Sequence, residues 1–580
     1  MSELGTKIVF VGGNNKNRIG GSCSVLEHKY AENRPPARIM FDLGALFAPN
    51  YCLDVDAAIP DVREYLDTNE SFATKRLDAI FISHGHEDHI GGLVHLARAG
   101  YKFPHIYSSK ASLELLKAAL VEAGVDLNRS EWNEKYIDEN GIERRREIFF
   151  EVADGDKVRI MNNEKKPLFT GVEIEPFNVS HSTIGALGFH TLTTIDGNVE
   201  AGILHPGDFH LGKIRVGDGF NENSFTNLLK RKPVTHAILD STSSSSSDEY
   251  VVTHEEAVAN TVEIINQHPE KQVITAVISK SIQNLAIDLD AARITGRKIF
   301  LDGYWTKIAF KAMQNSGIHE FDDMVFRGSA AEYKSKFSET TRYIITSGAF
   351  AESKKGAKSG LYKMSEQEKI RQTKNKNKSK NNKKLGHPDF DVDSNTLILA
   401  RQRCIEEING KQVRAMYNRL ASLGAVIIAN EAETPLGNYK TAKMQRSGHA
   451  SKSEIIKLVN MILSAQKRPA DVTFIPTHGN PQQLINTAKA VKSVGGGFYF
   501  ANNLDVIKVN KDETSKIDEL TSNLWIGVCE TSDNTSSVKE YTYFPVDENF
   551  VVKGEPFKKV VVKTPNRKNN FFQKSEKHSR

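Results

Sequence analysis

Ser83-His84-Gly85-His86-Glu87-Asp88-His89-Ile90-Gly91-Gly92 is the stretch on which the fold turns. Three histidines and an aspartate fall within six residues. Ahead of them, Leu77 to Ser83 is a short apolar run with β-formers, the pattern of a buried strand. Behind them, the glycine pair leads into Leu93-Val94-His95-Leu96, the start of a helix. The histidines are therefore predicted on a tight turn between strand and helix. His84 and His86, two apart on an extended turn, can point the same way. Asp88 and His89 can face a second point close by. Imidazole and carboxylate together suit zinc or a similar borderline divalent ion.

The rest of the 580 residues bounds what surrounds this turn. The length exceeds one ordinary domain, and 39% hydrophobic with 26% charged residues describes a soluble globular protein. No apolar run approaches the roughly 20 residues that span a bilayer. Met1-Ser2-Glu3-Leu4-Gly5 lacks a basic start with an apolar core, so no secretory signal is expected. Cys23, Cys52, Cys404 and Cys529 are scattered without a C-x-x-C pair. They read as free thiols of a reducing cytoplasm, which excludes a disulfide framework and a zinc finger. The net charge of +5 is uneven: residues 354–384 carry +10 and residues 553–580 carry +7, leaving about −12 elsewhere. Two basic appendages on an acidic body attract polyanions, and the first is too lysine- and asparagine-rich to fold alone.

In chain order, Lys7–Val11, Ser22–Glu27 and Ala37–Gly44 read as strands, and residues 54–61 as a loop before a short helix. Residues 126–150 are charged and expected to be peripheral. The His turn supplies too few groups to close two metal sites, so further ligands are sought at other strand ends. Val172–Val179 runs into His181, and Glu200–Leu204 delivers His205-Pro206-Gly207-Asp208-Phe209. Asp208, a carboxylate on a glycine turn, can bridge two cations. His205 is read as a residue that orients a ligand. Val234–Leu239 ends in Asp240-Ser241-Thr242, where a domain boundary is placed. Helix and strand patterns then alternate as in an α/β layer, with strands at 273–278, 298–301, 343–346, 396–400 and 425–428. Ser447-Gly448-His449-Ala450-Ser451 precedes a helix, and the strand Val472–Pro476 ends in Thr477-His478-Gly479.

His-x-His-x-Asp-His resembles the signature of the metallo-β-lactamase superfamily, whose members mostly bind two metals in an αββα sandwich. The ordered set from His84 through His181, Gly207-Asp208-Phe209, Asp240-Ser241-Thr242, Ser447–Ser451 and His478 is similar to ribonuclease J, of the β-CASP branch. The similarity spans roughly residues 5–505. It implies an α/β protein: a metallo-β-lactamase domain over 1–242 and 431–505, interrupted by a β-CASP domain over 243–430 with its basic loop at 354–384. A small C-terminal region with a basic tail would occupy 506–580. The chain departs from the family pattern at Arg18-Ile19-Gly20, at Lys280-Ser281-Ile282-Gln283-Asn284 and at Gly303-Tyr304-Trp305.

Residue by residue, the resemblance implies one metal on His84, His86, His181 and Asp208, and another on Asp88, His89, Asp208 and His478. The ions would be two divalent metals, Zn2+ first, with Mn2+ or Mg2+ as alternatives. The loss of Asp88 would abolish catalysis. His449 would be the general acid, with Asp240 accepting from its other ring nitrogen. Ser447, Gly448, Ser451, Lys280 and Ser281 would contact substrate phosphates. The substrate would be single-stranded RNA, cleaved from the 5′ end, internally or both, by a cytoplasmic homo-oligomer, a dimer or tetramer, with no membrane. A hydrolase of small esters or thioesters, and a catalytically weak RNA-binding subunit, are the competing expectations.

Overall fold

The computed structural model describes residues 3–563 apart from 15–18, 48–54, 69–70, 130–131, 138–142, 161–167, 247–250, 279, 349–358, 368–388, 402–408, 432–435, 511–513, 520–524, 532–537, 548–551 and 554. Two sheets face each other. The first has eight strands, in the spatial order Phe149–Glu151, His105–Ser108, Ala79–Phe81, Ala37–Phe41, Cys23–Lys29, Gly5–Gly12, Asp505–Val509, Thr514–Glu519. The second has six: Val172–Asn178, Leu187–Ile195, Asn198–His205, His236–Asp240, Thr473–Thr477, Gly497–Phe498. Alternate residues such as Phe10, Ile39, Phe81, Phe189, Ile203 and Ile475 close the core between them. Helices Glu87–Arg98 and Lys110–Glu122 cover the outer face of the first sheet. Glu222–Arg231, Lys452–Ala465 and Pro481–Ser493 cover the second. The layers are those of an αββα sandwich.

A third sheet, all parallel, comes from the middle of the chain: Lys298–Asp302, Arg342–Thr346, Gln272–Ala276, Thr396–Ala400, Val426–Asn430, Lys440–Ala442. Its continuous apolar strands are buried on both faces, as a parallel sheet wrapped by helices requires. Arg401 and Asp288 are buried here, with Arg401 Nη2 2.7 Å and Nε 2.9 Å from Asp288 Oδ1. Arg401→Met strands a buried carboxylate and is expected to cost about 3–5 kcal/mol, with Arg401→Met/Asp288→Leu recovering most of it. Denaturant unfolding of the two variants checks this.

Three boundaries fall elsewhere than the pattern suggests. The inserted sheet runs on to Lys440–Ala442, past 430, because that strand pairs with Val426–Asn430. Asp505–Val509 and Thr514–Glu519 complete the first sheet and do not form a separate region. Residues 54–61 are not simply a loop, since Ala57–Pro60 is a strand held by Trp525–Val528. That pairing belongs to a five-stranded sheet of Lys558–Lys563, Val538–Val546, Trp525–Thr531, Ala57–Pro60 and Leu46–Phe47. The basic tail thus contributes an edge strand. Of the basic loop at 354–384, residues 359–367 are described, and they are ordered. Helix Gly360–Ser365 buries Leu361 and Met364 in the inserted core, apolar anchors that override the local charge. The remainder of that loop, residues 564–580, Arg18, Cys52 and Cys404 lie outside the described residues. Cys23 is buried and its thiol is free.

The His turn is clamped from below by backbone. Ser22 N–H donates to Asp88 O, Leu43 N–H to His89 O and Ala45 N–H to Glu87 O. This close approach needs Gly44, whose added Cβ would lie 1.7 Å from Asp88 O, where real contacts essentially never fall below 3.0 Å. Gly44→Ala is expected to cost about 3 kcal/mol or more and to dislodge Asp88 and His89. Thermal unfolding and metal content of the purified variant check both.

Candidate metal centre

Strands Asn198–His205, His236–Asp240 and Thr473–Thr477 run parallel, so their ends deliver Asp208, Asp240 and His478 to one rim of the sandwich. His181 follows Val172–Asn178 on the same rim, and His84 to His89 arrive from the facing sheet after Ala79–Phe81. His478 sits at φ 53°, a left-handed backbone that turns its ring back over the strand end.

The side chains form two adjoining sets. His86 Nδ1 lies 3.1 Å from His84 Nε2 and 3.0 Å from His181 Nε2. The second set is Asp88, His89, Asp208 and His478, whose ligand atoms lie within 4.8 Å of one another. Asp208 stands between them: its Oδ2 is 3.9 Å from His84 Nε2 and 3.2 Å from His89 Nε2, and its Oδ1 is 3.5 Å from His478 Nδ1. His478 Nε2 is 3.4 Å from Asp88 Oδ2. A third grouping, Asp208, Asp240, His449 and His478, overlaps the second.

These residues fit divalent cations. Partners outside the cluster dictate which ring nitrogens carry protons. His181 Nδ1 donates to Gly448 O at 2.6 Å, which leaves Nε2 a lone pair. His89 Nδ1 donates to Asp42 Oδ2 at 2.8 Å. The Thr242 hydroxyl donates to Asp240 Oδ1 at 2.7 Å and so accepts from His478 Nδ1 at 2.8 Å. Ring nitrogens therefore face the cluster, and His89 Nε2 and His478 Nε2 are buried there without a hydrogen bond among the described residues. Leaving such groups unmatched costs about 1–3 kcal/mol each. Nitrogens on a tetrahedral ion with bonds of about 2.0–2.1 Å stand roughly 3.3 Å apart, close to the spacing of the first set.

Burial first, and then the neighbouring imidazoles, hold His84 and His86 well below the usual histidine range and His181 at about 4. The first set is neutral and ready to ligate. His478 is pushed the other way, to about 10: burial opposes its charge, but Asp208, Asp240 and Asp88 outweigh it. Against the same burial, Asp240 and Asp208 raise His449. His449 Nδ1 meets Asp240 Oδ2 at 2.8 Å, with the ring edge-on to His181 and 22% of the side chain exposed.

The other residues singled out from sequence lie close by but are used differently. His205 stacks on Phe41 at 5.5 Å, and its Nδ1 makes no hydrogen bond among the described residues. Asp42 and Ser83 orient a ligand: Ser83 N–H and Oγ–H donate to Asp42 at 2.8 Å each, fixing the carboxylate against His89. Gly448 gives its carbonyl to His181, and a Cβ there would come within 2.8 Å of that ring. Ser451 is not a free phosphate donor. It caps helix Lys452–Ala465 in a capping box with Glu454 and is buried. Ser447 Oγ, half-buried, accepts from His449 N–H at 3.2 Å. Ser281 is buried and accepts from Asn284 Nδ2 at 2.8 Å. Lys280 Nζ is 3.0 Å from Glu87 and lies over the Trp305 ring at 4.7 Å.

Lys280, Gln283 and Asn284, at the start of helix Ile282–Ile294, tie the inserted domain to four segments around the site. Lys280 holds Glu87, between His86 and Asp88. Gln283 N–H donates to Ser182 O, beside His181. Gln283 Oε1 accepts from Arg215 and Val216 N–H at 3.1 and 3.3 Å, and its Nε2 donates to Val216 O at 2.8 Å. Asn284 Oδ1 accepts from Arg446 N–H, just before Ser447. Gln283→Ala leaves three backbone groups unmatched, two of them buried. It is expected to cost about 2–4 kcal/mol and to lower turnover more than substrate affinity. Unfolding curves and a KM-against-kcat comparison check it.

A family model described as metallo-β-lactamase superfamily matches residues 46–216. Among curated relatives, Ribonuclease J of Mycobacterium tuberculosis is 25% identical over 498 residues, covering 85% of this chain and 72% of its own. Ribonuclease J of Helicobacter pylori is 23% identical over 531 residues, covering 90% and 63%. Ribonuclease J2 of Bacillus subtilis is 23% identical over 336 residues, covering 58% and 52%. The similarity to the first two runs through both the sandwich and the inserted domain, and the ligand-bearing rim lies within it. The chain thus carries a metallo-β-lactamase domain and is similar, at 23–25% identity, to proteins named ribonuclease J from several bacteria.

Proposed function

We propose that this protein hydrolyses phosphodiester bonds of single-stranded RNA, as an exonuclease, an endonuclease or both, using two divalent ions. The observation that carries the reading is two ligand sets meeting at Asp208, with the His449–Asp240 pair beside them. His84, His86 and His181 would hold one ion and Asp88, His89 and His478 the other, with Asp208 shared. Divalent ions held by these residues would supply a lowered pKa for the attacking water and offset charge building on the phosphate oxygens. The imidazole-rich donor set favours Zn2+, with Mn2+ or Mg2+ as alternatives.

The chain's own groups do the rest. Asp240 keeps a proton on His449 Nδ1 and stabilises the imidazolium, so His449 Nε2–H can protonate the leaving oxygen. Asp42, Gly448 O and Thr242 hold three ligand imidazoles in one tautomer each. Ser447, beside His449, is the remaining candidate hydroxyl for a phosphate oxygen. Lys280 would serve phosphate only by leaving Glu87. The preference for RNA follows the relatives, which are named ribonucleases. No described helix is long and apolar enough to cross a membrane. A cytoplasmic dimer or tetramer is part of the same proposal. Metal-loaded protein should release nucleotides or fragments from end-labelled RNA and leave a panel of esters and thioesters intact. Ester turnover without RNA cleavage would overturn the reading.

A further inference from the structure

Strand Gly497–Phe498 closes one edge of the second sheet. Phe498 pairs in register with Phe474, whose ring lies under the outer helices, so Phe498 faces that helical side too. Tyr499 turns inward against the core between the sheets. Phe500 follows two residues after Phe498, and the two rings touch edge to face at 5.2 Å. They are 39% and 42% exposed. Beside them, helix Pro481–Ser493 presents Ile485, Lys489 and Lys492 at i, i+4 and i+7, all exposed. Neither lysine pairs with a carboxylate among the described residues. Residues 480–504 contain no Asp or Glu, on a body that is net acidic once its two basic appendages are set aside. The loop that follows the patch is tied toward the metal centre through Gly13 and Asn14. Asn14 N–H donates to Asn503 Oδ1 and Asn14 Nδ2 to Ala501 O, while Gly13 O accepts from the backbone N–H of His478.

We propose that Phe498 and Phe500, flanked by Lys489 and Lys492, form a stacking platform for the part of a single-stranded RNA that lies beyond the metal centre. The proposal rests on the ribonuclease reading and adds to it where the strand runs. Exposed aromatic rings stack on bases without reading sequence, and unpaired lysines beside them track the backbone. A second copy of this chain would also cover apolar rings on a sheet edge. The exposed lysines on a segment that carries no carboxylate over residues 480–504, and the tie through Gly13–Asn14 toward His478, favour the polyanion.

The test is fluorescence anisotropy of a labelled 15-nucleotide phosphorothioate oligoribonucleotide with metal-loaded, full-length protein. Phe498→Ala/Phe500→Ala is expected to raise Kd about 10- to 100-fold, with melting temperature and metal content unchanged. Phe498→Leu/Phe500→Leu keeps apolar bulk and removes the ring faces, so it should lose affinity as well, and it stands in if the alanine pair unfolds. Lys489→Ala/Lys492→Ala should flatten the salt slope of log K by about 1.4, roughly 0.7 per phosphate released. Wild-type Kd in the leucine pair overturns the platform alone. A change of assembly size in light scattering with Kd unchanged also overturns it, in favour of a contact between copies. A wild-type protein that binds no RNA overturns the ribonuclease reading and the platform together.

Discussion

Asp208→Ala is expected to bring RNA cleavage to background and to lower bound metal from about two ions per chain to one or none. Asp208 is buried where both ligand sets meet, within 3.2–3.9 Å of His84, His89, His478 and His449. Its carboxylate faces His84 of the first set and His89 and His478 of the second. Its removal opens a site on each ion and leaves His89 and His478 facing each other without the charge that holds them. Losing an outer partner of a metal ligand already costs about 10- to 100-fold in affinity or activity, and Asp208 is a ligand itself, so the loss should exceed that range. Asp42→Ala, which frees His89 Nδ1, should fall inside the range and gives the comparison. Elemental analysis and RNA turnover on the same preparations check both. Two retained ions with near-normal turnover in Asp208→Ala would refute the shared-ligand arrangement.

His449→Ala carries the second large effect: turnover lower by about 10²–10⁴ with both ions retained. The imidazole stands beside the ligand cluster, bonded to Asp240 on one side and open on the other. Its removal takes the proton donor and leaves all seven proposed ligands. Asp240→Asn separates orientation from charge. The amide can still meet His449 Nδ1 but cannot stabilise an imidazolium, so turnover should fall by less than in His449→Ala while RNA affinity holds. Metal loss from His449→Ala would mean that this histidine is a ligand, as the overlapping group of Asp208, Asp240, His449 and His478 would allow.

The His turn was legible because its ligands are contiguous and its glycines signal a tight approach. His181, Asp208 and His478 were legible because each follows a β-pattern at a strand end. Asp42 follows one as well, before Leu43-Gly44, and passed as an ordinary strand residue; an aspartate at a strand end ahead of a glycine was the available signal. What stayed hidden depends on distant partners. Ala57–Pro60 becomes a strand only because Trp525–Val528 lies beside it, more than 460 residues later. Lys440–Ala442 and Asp505–Glu519 take their places from neighbours of the same kind. The structural bonds of Ser451, Ser281 and Gly448 stayed hidden for another reason. A hydroxyl or a glycine beside a catalytic histidine is equally suited to a phosphate, a helix cap or a close backbone contact. For Ser451, the Ser-x-x-Glu spacing to Glu454 already pointed to the cap.

The most direct test of the central claim is a metal titration of chelator-treated protein, following bound metal and release of nucleotides from end-labelled RNA in the same samples. Cleavage is expected to be absent without metal and to rise as about two divalent ions bind per chain. Full-rate cleavage by the metal-free chain, or two bound ions with no cleavage, would contradict it.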